Sequence, residues 1–520
     1  MTSMDATISG MHRPADMTTR PAAPAAPTRT RNWTIWLVAA AAFGAEMAVS
    51  GRYGYVRDEL YFLSAGRHPA LGYVDQPAMT PLLARLDVML TGNTLVGLRV
   101  LPALGLAALV LLTAAMARTL GASRRGQLLA AIATACCAEY LGTMHELTTT
   151  PLDFVCWAVL LLLAIKLLTS GNPRWWLAIG AFGGVAMNAK WNIGFLVAAL
   201  VAGFAVTPAA RPLLRSRYLL IGALAFAVLA APDFIWQAAH GWPNLAVYHQ
   251  LQGDAWKNRV QYWPGQVLYT SIVLVPLWAG GAVWAIRNAR YRAVGIAAVA
   301  VIAAQFAVGG KIYYPGGVYT FLFAAGAAAF AQRPLRWRPA LYIAAGAISA
   351  LISLPLLPAA ALARFPVQKI NYDLGEEIGW PSQVALLARA YHSLPSSERA
   401  VATVITGNYG EAGALDRYGA AFGLPRAYSG ANNFWLWGPP PAQDTVAVAI
   451  NVDPALLRRE FAHVRVVGVY RNGLRVADDE EGAVVYVATG LRGSWGVGLA
   501  GVPRLFVGAR GGPQPNRCLI

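Results

Sequence analysis

Apolar runs dominate the chain from residue 33 to residue 357. They recur in stretches of roughly 15–22 residues, the length a helix needs to cross the hydrocarbon of a bilayer. We draw spans over 33–50, 95–117, 126–144, 151–169, 175–188, 192–207, 218–235, 265–286, 293–309, 314–331 and 340–357. The pattern predicts a mainly α, polytopic membrane protein with about eleven transmembrane helices. The spans 175–188 and 192–207 are short and have Lys190 at their hinge, so a broken or re-entrant pair is an alternative there. After Pro358 the pattern changes. Short β-rich runs stand at Ala400–Ile405, Thr445–Ile450, His463–Tyr470 and Ala483–Ala488, with helical stretches at Gln383–Tyr391 and Pro454–Phe461. That alternation predicts a small α/β domain.

Basic residues orient the spans. Arg118, Arg124 and Arg125 fall together, as do Lys166 with Arg174, Arg211 with Arg215 and Arg217, Arg287 with Arg290 and Arg292, and Arg333 with Arg336 and Arg338. With eleven spans all these clusters share the side of the N-terminus, which the positive-inside rule makes cytoplasmic. Residues 1–31, rich in Ala, Pro, Thr and Arg, read as a disordered cytoplasmic tail, and the first span as an uncleaved helix. The expected organisation is the tail at 1–31, a transmembrane domain over 32–357 with its first outer loop at 51–92, and an extracytoplasmic α/β domain over 358–520. The expected location is the cell membrane.

Composition agrees. The chain is 57% hydrophobic and 13% charged, with mean hydropathy +0.45. A net charge of +17 invites a nucleic-acid reading, but the cations lie between apolar runs, where topology signals belong, and no nucleic-acid partner is expected. The four cysteines, Cys136, Cys137, Cys156 and Cys518, form no metal-type spacing.

This topology gathers the chemically rich segments on the outer face. The loop Tyr55–Pro77 carries Arg57, Asp58, Glu59, Arg67, His68 and Asp75. Adjacent residues do not share a helical face, so one acid of the Asp58-Glu59 pair can look into a cavity while the other caps the helix. Asp75 precedes a proline-stiffened turn and is placed to orient a substrate, or is simply a turn acid. Asp153 opens an apolar helix, where an acid is either a capping group or a functional one at span depth. His145 and Glu146 raise a divalent metal as an alternative, without a spacing that specifies one. Lys190 and Lys311 break the positive-inside pattern. They either snorkel to the interface or hold a phosphate with the hydroxyls of Tyr313 and Tyr314. His240, in His240-Gly241-Trp242-Pro243, sits in an aromatic-rich outer loop. No Walker A, GxSxG, HExxH or Rossmann pattern stands where its chemistry needs it.

The order of several short strings resembles glycosyltransferase family 39-like membrane enzymes, a group that includes protein O-mannosyltransferases and the aminoarabinose–lipid A transferase. The strings are Asp58-Glu59-Leu60-Tyr61, Gly72-Tyr73-Val74-Asp75-Gln76-Pro77, Thr150-Pro151-Leu152-Asp153, Gly184 to Lys190, His240-Gly241-Trp242-Pro243 and Lys311-Ile312-Tyr313-Tyr314-Pro315. Residues 407–414, Ser429-Gly430-Ala431-Asn432-Asn433 and Trp435-Leu436-Trp437-Gly438 look like its bacterial branch.

The resemblance implies the C-type glycosyltransferase (GT-C) fold and a polyprenyl-phosphate-linked sugar donor. It implies a hydroxyl acceptor on protein, lipid or polysaccharide, with transfer on the outer face of the bilayer. It makes Asp58 the catalytic base, Glu59, Asp75, Asp153 and His240 substrate contacts, and Arg57, Lys190, Lys311, Tyr313 and Tyr314 the donor-phosphate site. Some lipid A-modifying relatives have Lys before the loop proline, where this chain has Gln76, so the aminoarabinose specificity does not transfer. A transporter or lipid flippase with an extracytoplasmic domain is the rival class. It predicts charge buried in mid-span and internal repeats, whereas the ionisable residues here cluster at one face.

Overall fold

The computed structural model describes residues 33–330 and 338–495. The tail over 1–31, Arg333, Arg336 and Cys518 lie outside the described residues. Among the described residues three helices are long and apolar enough to cross a membrane: Leu95–Thr119, Thr149–Ser170 and Arg217–Ala239. Shorter apolar helices stand beside them, among them Trp33–Val49, Trp175–Met187, Ile193–Val206, Arg292–Ala307 and Arg338–Ser353.

Two of the expected spans are interrupted. The run 126–144 is two helices, Arg124–Ala135 and Ala138–Thr143, parted at Cys136–Cys137. The run 265–286 is also divided. Its halves belong to a pair, Pro243–Tyr269 and Ile272–Arg287, bent by 80°. Ser271 sits at that corner with φ +66°, a left-handed backbone that ends one helix and redirects the next. Apolarity runs unbroken through both corners, so hydropathy alone reads each as one helix.

Small residues set how closely the helices pack. A Cβ on Gly180 would strike the backbone of Gly222, and one on Gly184 the backbone of Phe226. This lets Trp175–Met187 and Arg217–Ala239 meet backbone to backbone, the small-residue packing expected where lipid supplies no hydrophobic drive. Leu106, Trp157, Phe204 and Phe323 are fully buried in the core shared by these helices.

The first loop carries the helix Arg57–Arg67 and then Met79–Thr91. On the latter, Leu82, Leu86, Met89 and Leu90 are exposed. Their spacing is that of one helical face, the apolar stripe of an amphipathic helix.

The C-terminal region builds one five-stranded sheet from β1 (Ala402–Thr406), β2 (Ala427–Ser429), β3 (Val446–Ile450), β4 (Phe461–Val469) and β5 (Val484–Leu491). The order is β2-β1-β3-β5-β4. β1 runs parallel to β2 and β3, while β5 runs antiparallel to β3 and β4. β1 and β3 are buried throughout, as strands covered on both faces are. On one face Val404, Val448 and Val487 pack with Trp380 and Leu387 of the helix Trp380–His392. Leu60, Tyr61 and Phe62 join that same cluster. The loop helix is therefore part of the sheet's hydrophobic core, although more than three hundred residues of chain lie between them.

Candidate active site

Two short helices frame the site. The first, Arg57–Arg67, starts with its own cap: Glu59 Oε2 accepts from the Val56 amide at 3.0 Å. The second, Tyr409–Tyr418, starts with a reciprocal capping box. Asn408 Oδ1 accepts from the Glu411 amide at 2.9 Å, and Glu411 Oε2 accepts from the Asn408 amide at 3.1 Å. The helices touch through glycines. A Cβ on Gly413 would lie 2.7 Å from the carbonyl carbon of Leu60, and one on Gly410 would meet the Arg57 side chain. Ser64 adds a 2.7 Å hydrogen bond to Asp416.

This contact places Tyr409, the first residue of its helix, over the start of the loop helix. Its hydroxyl donates to Asp58 Oδ1 at 2.8 Å. Asp58 is half-buried. One turn on, Tyr61 lies 2.8 Å from Asp75 Oδ1 and 3.2 Å from Asn433 Oδ1. Asn432 donates to Asp75 Oδ2 at 3.0 Å, and Asn433 Oδ1 accepts from the Val74 amide at 2.7 Å. Burial, with the nearby charge of Asp58, pushes Asp75 up to about 7. A phenol has one proton for two acceptors. A neutral Asp75 resolves the shortage by donating to Tyr61, which then donates to Asn433.

Asp373, half-buried, adds a further acid. Burial and Asp58 push it up to about 6, while Arg57 and Lys311 pull against them.

The cations approach from the helical part. Lys190 donates to Thr150 Oγ1 at 3.1 Å, and its ammonium lies 5.1 Å and 5.2 Å from the ring centres of Tyr313 and Tyr314. Lys311 lies 5.9 Å from the Tyr313 ring. Burial brings Lys190 down to about 8, with Asp153 and Asp58 opposing and Lys311 reinforcing the shift. Lys190 therefore lies within the electrostatic reach of Asp153, Lys311 and Asp58.

Other expected site residues stand elsewhere. Glu59 is fully buried and closed by protein. Arg99 donates to its two oxygens at 3.2 Å and 3.0 Å, and the Leu147 amide donates at 3.1 Å. No oxygen is left for a substrate, so the expected substrate contact becomes a scaffold role. Arg57, expected at the donor phosphate, is engaged by Asp479 at 3.4 Å and Glu376 at 3.8 Å, and stacks over Tyr409.

Asp153 is also buried, and accepts from Trp157 at 2.7 Å and Asn192 at 3.0 Å. Asn192 in turn donates to the Tyr314 carbonyl at 2.7 Å, so Asp153 braces the lysine–tyrosine cluster from beneath. His240 is exposed at the end of Arg217–Ala239 and stacks on Trp236 at 4.0 Å. No contact joins it to the residues around Asp58.

Arg99 extends the scaffold. It reaches Glu377 at 3.5 Å and His145 Nε2 at 2.8 Å. A guanidinium only donates, so that nitrogen accepts, and Nδ1 carries the proton toward Glu46 at 3.2 Å. Burial and the Arg99 charge hold His145 neutral. Among the described residues no group of three His, Cys, Asp or Glu side chains is arranged to hold a metal ion.

Sequence reasoning did not assign roles to Tyr409, Asn432, Asn433, Asp373 or Arg99. The strings holding Tyr409, Asn432 and Asn433 were visible as motifs, but nothing local says that they reach a loop near residue 60. Arg99 had a signal of its own, an ionisable residue at the head of an apolar run.

Residues 75–236 match the family model described as dolichyl-phosphate-mannose-protein mannosyltransferase. A search of the curated proteins returned no match. Among solved structures the chain is similar to ArnT from Cupriavidus metallidurans bound to undecaprenyl phosphate. The TM-score is 0.56 at 15% identity, over 87% of this chain and 97% of that one. It is also similar to the arabinofuranosyltransferase AftD from Mycobacteria, with TM-score 0.51 and 13% identity over 90% of this chain and 40% of that one. The resemblance drawn from the sequence therefore stands as a likeness: the chain shares the fold of these solved structures and is similar over residues 75–236 to the family described as dolichyl-phosphate-mannose-protein mannosyltransferase.

Proposed function

We propose that the chain transfers a sugar from a polyprenyl-phosphate donor to a hydroxyl acceptor on the outer face of the cytoplasmic membrane, with inversion and with Asp58 as base. The observation that carries the reading is a half-buried carboxylate, fixed by Tyr409, within the electrostatic reach of Lys190, which lies against Tyr313 and Tyr314 beside Lys311. One oxygen of Asp58 is anchored, and in this reading the other accepts the proton, as general-base catalysis requires.

In the proposed step the acceptor oxygen bonds to the anomeric carbon as the bond from that carbon to the phosphate oxygen breaks. The acceptor proton passes to Asp58, and the lipid phosphate leaves with the electron pair. A phosphate is a good leaving group, so no acid has to protonate it. Lys190 and Lys311 stabilise its charge in a partly dry pocket. Asp75, held by Tyr61 and Asn432, orients sugar or acceptor. Gln76 is buried with its amide nitrogen unpaired by protein, which makes it a further donor beside Asp75. Arg57, Glu59 and Asp153 hold these groups in place and do not touch substrate.

The similar ArnT structure contains undecaprenyl phosphate, which supports a lipid phosphate as the carrier. The reading places the N-terminus in the cytoplasm and the sheet outside. The test is transfer by purified protein from a panel of polyprenyl-phosphate sugars, with the product identified by mass. Asp58→Asn should fold normally and lose transfer, and turnover like the unsubstituted protein's would sink the assignment.

A further inference from the structure

A second charged concavity lies on the C-terminal sheet, away from the carboxylates of the first loop. It is a pocket of about 460 Å³ lined by Arg458, His463, Arg465 and Arg492 over a floor that includes Phe461 and Val487. Strand register explains the grouping. His463 pairs with Thr489 and Arg465 with Val487 across the β4–β5 ladder. Residues two apart on a strand share a face, so His463 and Arg465 stand on one side of the ladder together. Arg458 comes from the helix Pro454–Glu460 and Arg492 from the end of β5.

The three guanidinium groups have no carboxylate partner among the described residues, and the nearby Glu460 pairs with Arg459 instead. Arg458, Arg465 and Arg492 are exposed, while Phe461 and Val487 are buried. Three planar cations without a carboxylate partner suit a compact ligand with an anionic group. The volume falls in the range of small-molecule sites, roughly 300–1,000 Å³. β4 and β2 are opposite edges of the sheet. Four strand spacings, about 19 Å, separate this pocket from the strand that leads into Asn432 and Asn433.

We infer that this pocket binds a compact solute bearing a phosphate or carboxylate, at a site separate from the one around Asp58. Its guanidinium forks hold the anionic group. The inference does not depend on the proposed transfer. It concerns binding, and its residues lie outside the proposed catalytic machinery.

The test uses the full chain in neutral detergent. Glucose 1-phosphate and glucuronate are titrated calorimetrically, with glucose as the neutral control. The expected result is a saturable component for at least one anionic probe, weakened by added sodium chloride and absent with glucose. Arg465→Gln/Arg492→Gln should weaken that component by about tenfold or more, with unchanged elution and thermal midpoint. Lys190→Gln, in the other cation cluster, should keep it. Arg465→Lys/Arg492→Lys retains charge without the fork and should bind between the two extremes. Three results each overturn the inference: no saturable binding of either anion, equal binding by the glutamine variant, or loss in Lys190→Gln alone. Binding seen only to phosphatidylglycerol vesicles, and never to the soluble sugars, overturns it as well, because the anion recognised would then be a lipid surface.

Discussion

Tyr409 donates a 2.8 Å hydrogen bond to Asp58 across 351 positions of sequence. A charge-assisted bond of this kind orients the acceptor and contributes about 1.5–3 kcal/mol. Tyr409→Phe keeps the ring that packs against Tyr61 and removes only the hydroxyl. The expected outcome is a single-turnover transfer rate lower by about tenfold, with donor affinity little changed. A rate equal to the unsubstituted protein's would show that Asp58 needs no orientation from the sheet side.

Asp75 gives a prediction in pH. Its folded value, about 7, lies above the roughly 3.9 of an unfolded aspartate. Between those values the folded chain holds a proton that the unfolded chain releases. The Asp75 contribution therefore favours folding at low pH and is lost as pH rises through about 7. Asp75→Asn removes this contribution. Asp373, at about 6, and Glu376 and Glu377, at about 8, impose slopes of the same sign. The readout is thus the difference between variant and parent. Thermal midpoints in detergent should show the variant gaining on the parent as pH rises from 5 to 8. A constant offset would mean that Asp75 is ionised throughout.

Neighbouring acids should separate cleanly by phenotype. Glu59 is buried with two bonds from Arg99, and removing one member of such a pair costs about 3–5 kcal/mol. Glu59→Ala is expected to lower yield and thermal stability sharply, while Asp58→Asn leaves both near normal. Size-exclusion profiles and unfolding midpoints of the two variants side by side decide this. A stable but inactive Glu59→Ala would return Glu59 to the substrate-contacting set.

The glycine contact between the helices is a fourth handle. A methyl at position 413 meets the Leu60 backbone at 2.7–2.8 Å, and backbone cannot rotate away. Gly413→Ala should destabilise the sheet region by about 1–3 kcal/mol through overpacking. Asp58 and Tyr409 would separate with it, so transfer should fall further than stability. Limited proteolysis of the C-terminal region together with the transfer assay measures both.

Much of this architecture was legible in the chain. Four of the five strands fall on β-rich runs identified from alternation and composition, because β3 is a continuous apolar run, β5 is largely one and β1 is rich in β-branched residues. β2, only Ala427–Ser429, is too short to leave a pattern. The helices broken at Cys136–Cys137 and Ser271 escaped because hydropathy averages over backbone geometry. At the site, sequence identified Asp58, Asp75, Lys190 and Lys311, ionisable groups where apolar runs stop. It did not separate substrate-facing groups from bracing ones. Asp58 and Glu59 are neighbours with opposite fates, decided by Arg99, which meets only one of them. Tyr409 and Asn432 reach Asp75 and Asp58 through tertiary packing, which no local pattern encodes.

The glycine contact also decides what can be exchanged between distant relatives. Arg57 and Leu60 lie against Gly410 and Gly413 without room for a side chain, so the two surfaces have to change in concert. A chimaera that grafts a foreign C-terminal region after residue 357 would set a new helix against an old loop, and most pairings would clash. The transplantable module is the sheet together with the loop helix at 57–67, although the chain writes them at opposite ends.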